Sequence, residues 1–126
     1  MLIGLQNKFC FNASIDEPIT VYKTALNQFR PYLSLKDAFK VFKFTINEDL
    51  FKNDIYNALS ENCTVNQIIQ KIKKFKKKIR IKFVYSEKMN QLSYHVDKNK
   101  LNKEGLNLKN KISDDIKDTI NLLKNI

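Results

Sequence analysis

The chain has 126 residues, a formal net charge of +10 and a hydrophobic content of 43%. This is the size of one domain, and so apolar a composition excludes an intrinsically disordered chain. No apolar run approaches the roughly 18 residues of a membrane-spanning helix, and the N-terminus lacks the positive region of a secretory signal. The two cysteines do not form a disulfide framework. We therefore expect a single cytoplasmic domain over residues 1–126.

The N-terminal half is predicted to alternate strands with helices. Residues 2–12 alternate apolar and polar side chains, which is typical of a strand. A cluster of Ser, Asp, Glu and Pro then favours a helix over residues 17–30, with apolar side chains at helical spacing. Over residues 42–46 apolar and polar side chains alternate again, which predicts a second strand. Glu and Asp in a first turn favour a helix over residues 48–60.

The clearest helix start is at Thr64, because Thr64 and Gln67 have the spacing of a capping box. One apolar stripe follows at a period of 3.6, and we expect it to be buried. Its members are Val65, Ile68, Ile69, Ile72 and Phe75.

The C-terminal half ends with a predicted hairpin, a loop and a helix. Residues 79–85 and 91–96 both alternate apolar and polar side chains, which indicates two antiparallel strands. Residues 97–111 are polar and predict a loop, and Ser113 is positioned to cap the last helix. The sequence therefore predicts an α+β domain, with three or four helices packed on an antiparallel sheet that contains this hairpin.

The densest positive charge lies in residues 71–82, KIKKFKKKIRIK, where eight of twelve residues are basic. More than half of the chain is Phe, Tyr, Met, Ile, Asn or Lys, which indicates an AT-rich genome and raises Lys everywhere. That background does not explain so local a cluster, and clustered charge attracts phosphate backbones. We predict that this basic segment binds nucleic acid through Lys71, Lys73, Lys74, Lys76, Lys77, Lys78, Arg80 and Lys82.

The type of basic residue favours recognition of the nucleic-acid backbone over recognition of bases. Only Arg30 and Arg80 are arginines, and bidentate contacts to guanine are mainly made by arginine. The leading hypothesis is a non-enzymatic accessory factor that docks on structured RNA, or on a ribonucleoprotein such as the ribosome, in preference to DNA. The alternative is a protein-directed inhibitor or adaptor from a phage, parasite or mobile element, which would use the faces of its helices.

A winged-helix DNA-binding protein is a further alternative. In that interpretation residues 48–60 and 64–76 form the helix-turn-helix, and residues 79–96 form the wing. A ribonuclease would combine His95, the one histidine, with Glu87, Arg80 and a lysine.

Other site chemistry receives little support from the sequence. The cysteines Cys10 and Cys63 and His95 lack metal-ligand spacing, and we expect both thiols to be buried. The acidic residues of the last helix, Asp114, Asp115 and Asp118, are the other candidates for a cation. With two glycines in the chain, there is no phosphate-binding loop and we expect no cofactor. A base-stacking platform would use Phe42, Phe44, Phe83 and Tyr85, and we expect no membrane partner.

Overall fold

The computed structural model of the chain describes residues 4–50, 53–85 and 93–124. Helices and short strands mix along these ranges, and the predicted α+β class is confirmed. The elements are α1 (Leu5–Ser14), β1 (Ile19–Tyr22), β2 (Phe29–Tyr32), α2 (Leu35–Asn47), β3 (Glu61–Thr64), α3 (Val65–Lys73), β4 (Ile81–Val84), α4 (Asn99–Lys103) and α5 (Ile112–Leu123).

The four strands form two separate pairs rather than one antiparallel sheet. β1 pairs with β4 in parallel, with Ile19 opposite Ile81, and β2 pairs with β3 in antiparallel orientation. The strand prediction for residues 79–85 is confirmed in β4, but the predicted hairpin is wrong for the described residues. Residues 93–96 are not a strand, and residues 91–92 lie outside the described residues.

The N-terminal strand and helix predictions are wrong. Residues 5–14 form α1, which buries Gln6, Phe9, Cys10 and Ala13 at helical spacing. The cluster that was expected to start a helix instead ends α1, because Asp16 takes a left-handed conformation at φ 59°. The segment that follows is β1, where alternate side chains are buried. Its Ile-Thr-Val run has the β-branched side chains that favour a strand.

The predictions over residues 42–60 are also wrong. Residues 42–46 belong to α2, which begins where the Ser34 hydroxyl accepts a hydrogen bond of 3.1 Å from the Asp37 amide. The described residues between 48 and 60 are not helical. Asp49 and Asn53 have φ values of 47° and 51°, and a left-handed residue interrupts a helix. Without this helix the helix-turn-helix that the winged-helix alternative requires is not formed in the described residues.

The capping box of α3 is confirmed. The Thr64 hydroxyl accepts from the Gln67 amide, and the Gln67 side chain accepts from the Thr64 amide. Four members of the stripe are buried and Phe75 is half-buried. They pack into one core between α1, α3, α5 and β1, together with Ile112, Ile116 and Ile120 of α5. The last helix begins at Ile112, one residue before the predicted cap Ser113.

Candidate binding surfaces

The basic segment runs from the last turn of α3 into β4, as the sequence predicts. Three of its eight basic side chains are held by other groups. Lys71 pairs with Glu61 at 3.5 Å and Lys76 pairs with Asp16 at 3.0 Å. Arg80 donates a hydrogen bond to the backbone carbonyl of Asp16. These interactions fix the segment against α1 and β3.

The other five basic side chains of the segment are exposed and form no ion pair with a described carboxylate. They are Lys73, Lys74, Lys77, Lys78 and Lys82. Concentrated lysine ammonium groups attract polyanions without selecting a base sequence. The segment therefore presents at least five of the eight predicted side chains to solvent, and its binding of nucleic acid stays a prediction.

A second polar surface surrounds Arg30 of β2, and it brings together residues that are far apart in the sequence. The Arg30 guanidinium donates to Gln28 Oε1 at 2.9 Å and lies 5.1 Å from the ring centroid of Tyr94. The rings of Phe29 and His95 lie 4.2 Å apart, centroid to centroid, at an angle of 45°. The Phe29 amide donates to the Ser93 hydroxyl at 2.9 Å, which holds the two segments together.

This Arg30 cluster combines a guanidinium with the rings of Phe29, Tyr94 and His95 on a partly exposed surface. A guanidinium presents several donors that match phosphate oxygens, and an aromatic ring can stack on a base. The sequence offered no local signal for it, because β2 and residues 93–95 are joined only by the fold. The expected position of His95 on an exposed surface is confirmed.

The ribonuclease constellation is not assembled in the described residues. The His95 ring packs against Phe29, whereas Arg80 donates to the Asp16 carbonyl. No hydrogen bond joins His95 to Arg80. Glu87 lies outside the described residues. A general acid, a base and a phosphate cation must lie around one substrate atom to act together. The described geometry gives a ribonuclease no support.

Both thiols are buried, as the sequence predicts. Burial raises the pKa of Cys10 to about 12, and burial together with the Glu61 carboxylate raises the pKa of Cys63. Neither is therefore an activated nucleophile. Across residues 4–50, 53–85 and 93–124, no group of three His, Cys, Asp or Glu side chains is arranged to hold a metal. In the same ranges, no helix is long and apolar enough to cross a bilayer.

Among the side chains that the structure describes, one charged group is fully buried. Asp37 of α2 accepts four hydrogen bonds: Oδ1 from Lys40 Nζ at 3.0 Å and Asn110 Nδ2 at 2.8 Å, and Oδ2 from Ser60 Oγ at 2.7 Å and the Asn110 amide at 3.1 Å. Burial alone would raise the pKa of Asp37, but these hydrogen bonds and the Lys40 charge outweigh it and lower the pKa. The carboxylate fastens α2 to two loops.

The opposite side of α2 carries an exposed apolar face that the sequence analysis missed. Leu35, Phe39, Phe42 and Ile46 are 82%, 72%, 69% and 68% exposed. Their spacing of four, three and four residues places them on one side of the helix, and we call this set the α2 stripe. A helical period was present in the sequence, but the alternation of Phe42, Phe44 and Ile46 favoured a strand.

The base-stacking platform is not assembled as predicted, because Phe42 and Phe44 lie on α2 and not on a strand. Phe83 on β4 is 54% exposed, and Tyr85 just beyond β4 is 72% exposed. These two rings lie beside the exposed basic side chain Lys82 in the sequence. They leave at most a two-ring stacking surface at the end of the basic segment.

No protein-family model and no curated protein sequence matches the chain. Among solved structures, the chain is similar to the UDP-glucose 4-epimerase of Thermus thermophilus, which was determined in complex with NAD. The TM-score is 0.78 and the identity is 18%, over 96% of this chain and 40% of that chain. The chain thus spans well under half of the epimerase, and the likeness establishes a shared fold.

Proposed function

We propose that this chain is a non-catalytic binding domain for a sugar nucleotide. The observation that carries the proposal is the fold, which corresponds over nearly the whole chain to part of a UDP-glucose 4-epimerase. A sugar nucleotide joins a base, a diphosphate and a sugar. Cationic donors suit the diphosphate, and aromatic rings suit the base.

The Arg30 cluster provides these groups at one place. The guanidinium can donate to the diphosphate, while Phe29, Tyr94 and His95 offer ring surfaces for the base. The chain itself lacks the glycine-rich turn that approaches a dinucleotide pyrophosphate, because its two glycines are Gly4 and Gly105. The proposal therefore concerns the sugar nucleotide alone and assigns no dinucleotide site to this chain.

We expect the purified chain to bind UDP-glucose, in a way that glucose alone does not compete, and to show no epimerase activity when NAD is added. Arg30→Gln should weaken binding at least about tenfold, because a hydrogen bond to a charged group contributes about 1.5–3 kcal/mol. Calorimetric titration measures this. The matched control is Arg80→Gln, which removes the other arginine and should leave the affinity unchanged. Absence of UDP-glucose binding, or equal loss in both variants, would refute the proposal.

The exposed lysines favour a second candidate function, which is docking on the phosphate backbone of RNA or of a ribonucleoprotein. Replacing Lys73, Lys77 and Lys78 by Gln removes three exposed charges of the basic segment but keeps the aliphatic stems. If each lysine contacts a phosphate, the slope of log affinity against log salt should fall by about two to three units. The measurement is a salt titration with structured RNA and duplex DNA.

The matched control for this test is Lys103, Lys109 and Lys124, all exposed, replaced together by Gln. Both triple variants lose the same net charge, so a general electrostatic effect would change both slopes equally. A change confined to the basic segment supports backbone docking there. Equal slopes in the two variants, or no binding by the unaltered chain at low salt, would remove this candidate.

A further inference from the structure

The end of the basic segment carries two exposed aromatic rings. Phe83 belongs to β4 and Tyr85 follows just beyond it, and both side chains are exposed. Neither ring is among the residues that pack on the core. Alternate residues of an extended chain point to the same side, which places both rings on one side of the chain. The pair offers a stacking surface to a ligand with flat apolar faces.

Lysine ammonium groups accompany these rings. Lys82 lies between them in the sequence, and Lys77 and Lys78 precede Phe83 by six and five residues. Since a chain extends by at most about 3.6 Å per residue, the Cα atoms of both lysines lie within about 22 Å of that of Phe83. All three lysines are exposed, and none forms an ion pair with a described carboxylate. Positive charge and ring faces therefore occur together on one short surface.

The outer edge of β4 can accommodate a polymer beside these groups. β4 pairs along its length with β1, and no other described strand lies next to it. Lys82 points to the opposite side of the strand from Phe83, because successive side chains alternate. A polynucleotide that passes along this edge can direct its phosphates to Lys82 and its bases to the rings. An acidic polypeptide would match the lysines alone, whereas a polynucleotide matches the lysines and the rings.

Base stacking distinguishes a single strand from a duplex. In a duplex the bases stack on each other about 3.4 Å apart, so their faces are covered. Unpaired bases can stack on aromatic side chains, and RNA presents them in loops and at ends. We propose that Phe83, Tyr85 and the exposed lysines of the basic segment form a binding site for single-stranded RNA. This inference rests on the second candidate function above and is independent of the Arg30 cluster.

The test compares a short single-stranded oligouridine with an RNA duplex of the same length, by fluorescence anisotropy at low salt. The duplex carries twice as many phosphates, so a purely electrostatic surface would prefer it. We expect the unaltered chain to bind the single strand at least about tenfold more tightly than the duplex, because unpaired bases can stack on the rings.

Phe83→Leu combined with Tyr85→Leu removes both rings but keeps apolar side chains. This ring variant should bind oligouridine at least about tenfold more weakly and the duplex as before, because the stacking contacts are lost and the charges are kept. The matched control, Phe39→Leu with Phe42→Leu, removes two exposed rings of the α2 stripe and should bind normally. Phe83→Tyr with Tyr85→Phe keeps both rings and should retain the affinity. Circular dichroism verifies that all three variants fold.

Several results would overturn the proposal. The duplex could bind as tightly as the single strand, or the ring variant could bind oligouridine as tightly as the control variant does. Polyglutamate at equal charge could displace the labelled RNA as well as unlabelled oligouridine does, which would favour an acidic polypeptide. Oligodeoxythymidine could bind more tightly than oligouridine, which would favour single-stranded DNA.

The outcome is distinguishable from failure of the proposed functions. If replacing Lys73, Lys77 and Lys78 by Gln weakens RNA binding and the ring variant does not, backbone docking stands and the single-strand site is rejected. If the chain binds no nucleic acid, both are rejected, and UDP-glucose binding still decides the sugar-nucleotide site. The ring variant should bind UDP-glucose as the unaltered chain does, because its substitutions lie outside the Arg30 cluster.

Discussion

Asp37→Asn is expected to destabilise the protein by about 2–4 kcal/mol. The carboxylate receives two donors on each oxygen. An amide of the same size keeps one oxygen and presents an N–H₂ group to the other two donors, whichever way it is turned. Two hydrogen bonds are lost, and leaving a buried donor unsatisfied costs about 1–3 kcal/mol. Urea denaturation at pH 7 measures the loss in the free energy of unfolding.

The same substitution should change the dependence of stability on pH. The folded-state pKa of Asp37 is lowered, so its contribution is present above the unfolded pKa of about 3.9 and is lost as the pH falls through the folded value. The difference in unfolding free energy between the unaltered chain and Asp37→Asn should therefore shrink below about pH 4. Asp118→Asn, which breaks an exposed ion pair with Lys36, is the control and should leave the free energy of unfolding nearly unchanged. A difference in unfolding free energy between the unaltered chain and Asp37→Asn that stays constant down to about pH 2 would contradict this explanation.

Ile72→Ala is expected to cost about 2–5 kcal/mol, because Ile72 is fully buried between α3 and the rest of the core. The loss combines the transfer of the removed methyl and methylene groups with the cavity that they leave. Ile55→Ala is the matched control, since Ile55 is 83% exposed, and it should change stability by less than about 0.5 kcal/mol. The denaturation midpoints of the two variants measure this difference. Equal losses of stability in the two variants would show that α3 does not form the core as described.

The elements that were predicted correctly are those whose signals are local. Thr64 and Gln67 cap α3 through each other, and the four buried members of its stripe share one period, so the helix can be recognised without its neighbours. The same is true of α5, whose Ile112, Ile116 and Ile120 are all buried. The sequence also predicts that Lys73, Lys76 and Lys77 are exposed, since all three lie beside the buried stripe. This is confirmed for Lys73 and Lys77, whereas Lys76 is half-buried because it pairs with Asp16.

The elements that were predicted wrongly depend on packing that the sequence does not display. The face of α2 with Phe39, Phe42 and Ile46 violates the rule that an apolar stripe is buried within the same domain, so its period was misread as that of a strand. In α1, the alternation of Phe9 and Phe11 was misleading, because Phe9 is 2% exposed and Phe11 is 48% exposed. The Arg30 cluster depends on a contact with residues 93–95 and has no signature in either segment.

The parallel pairing of β1 with β4 affects folding during synthesis as well as the stability of the folded chain. Parallel strands cannot be joined by a tight turn, and residues 23–80 lie between these two. During synthesis Ile19 and Val21, which end fully buried, have no strand partner until residue 81 has left the ribosome. A strand pairing between residues so far apart in the sequence slows folding. The nascent chain therefore exposes an unpaired apolar strand while residues 23–80 are added, and an unpaired apolar strand is prone to aggregate.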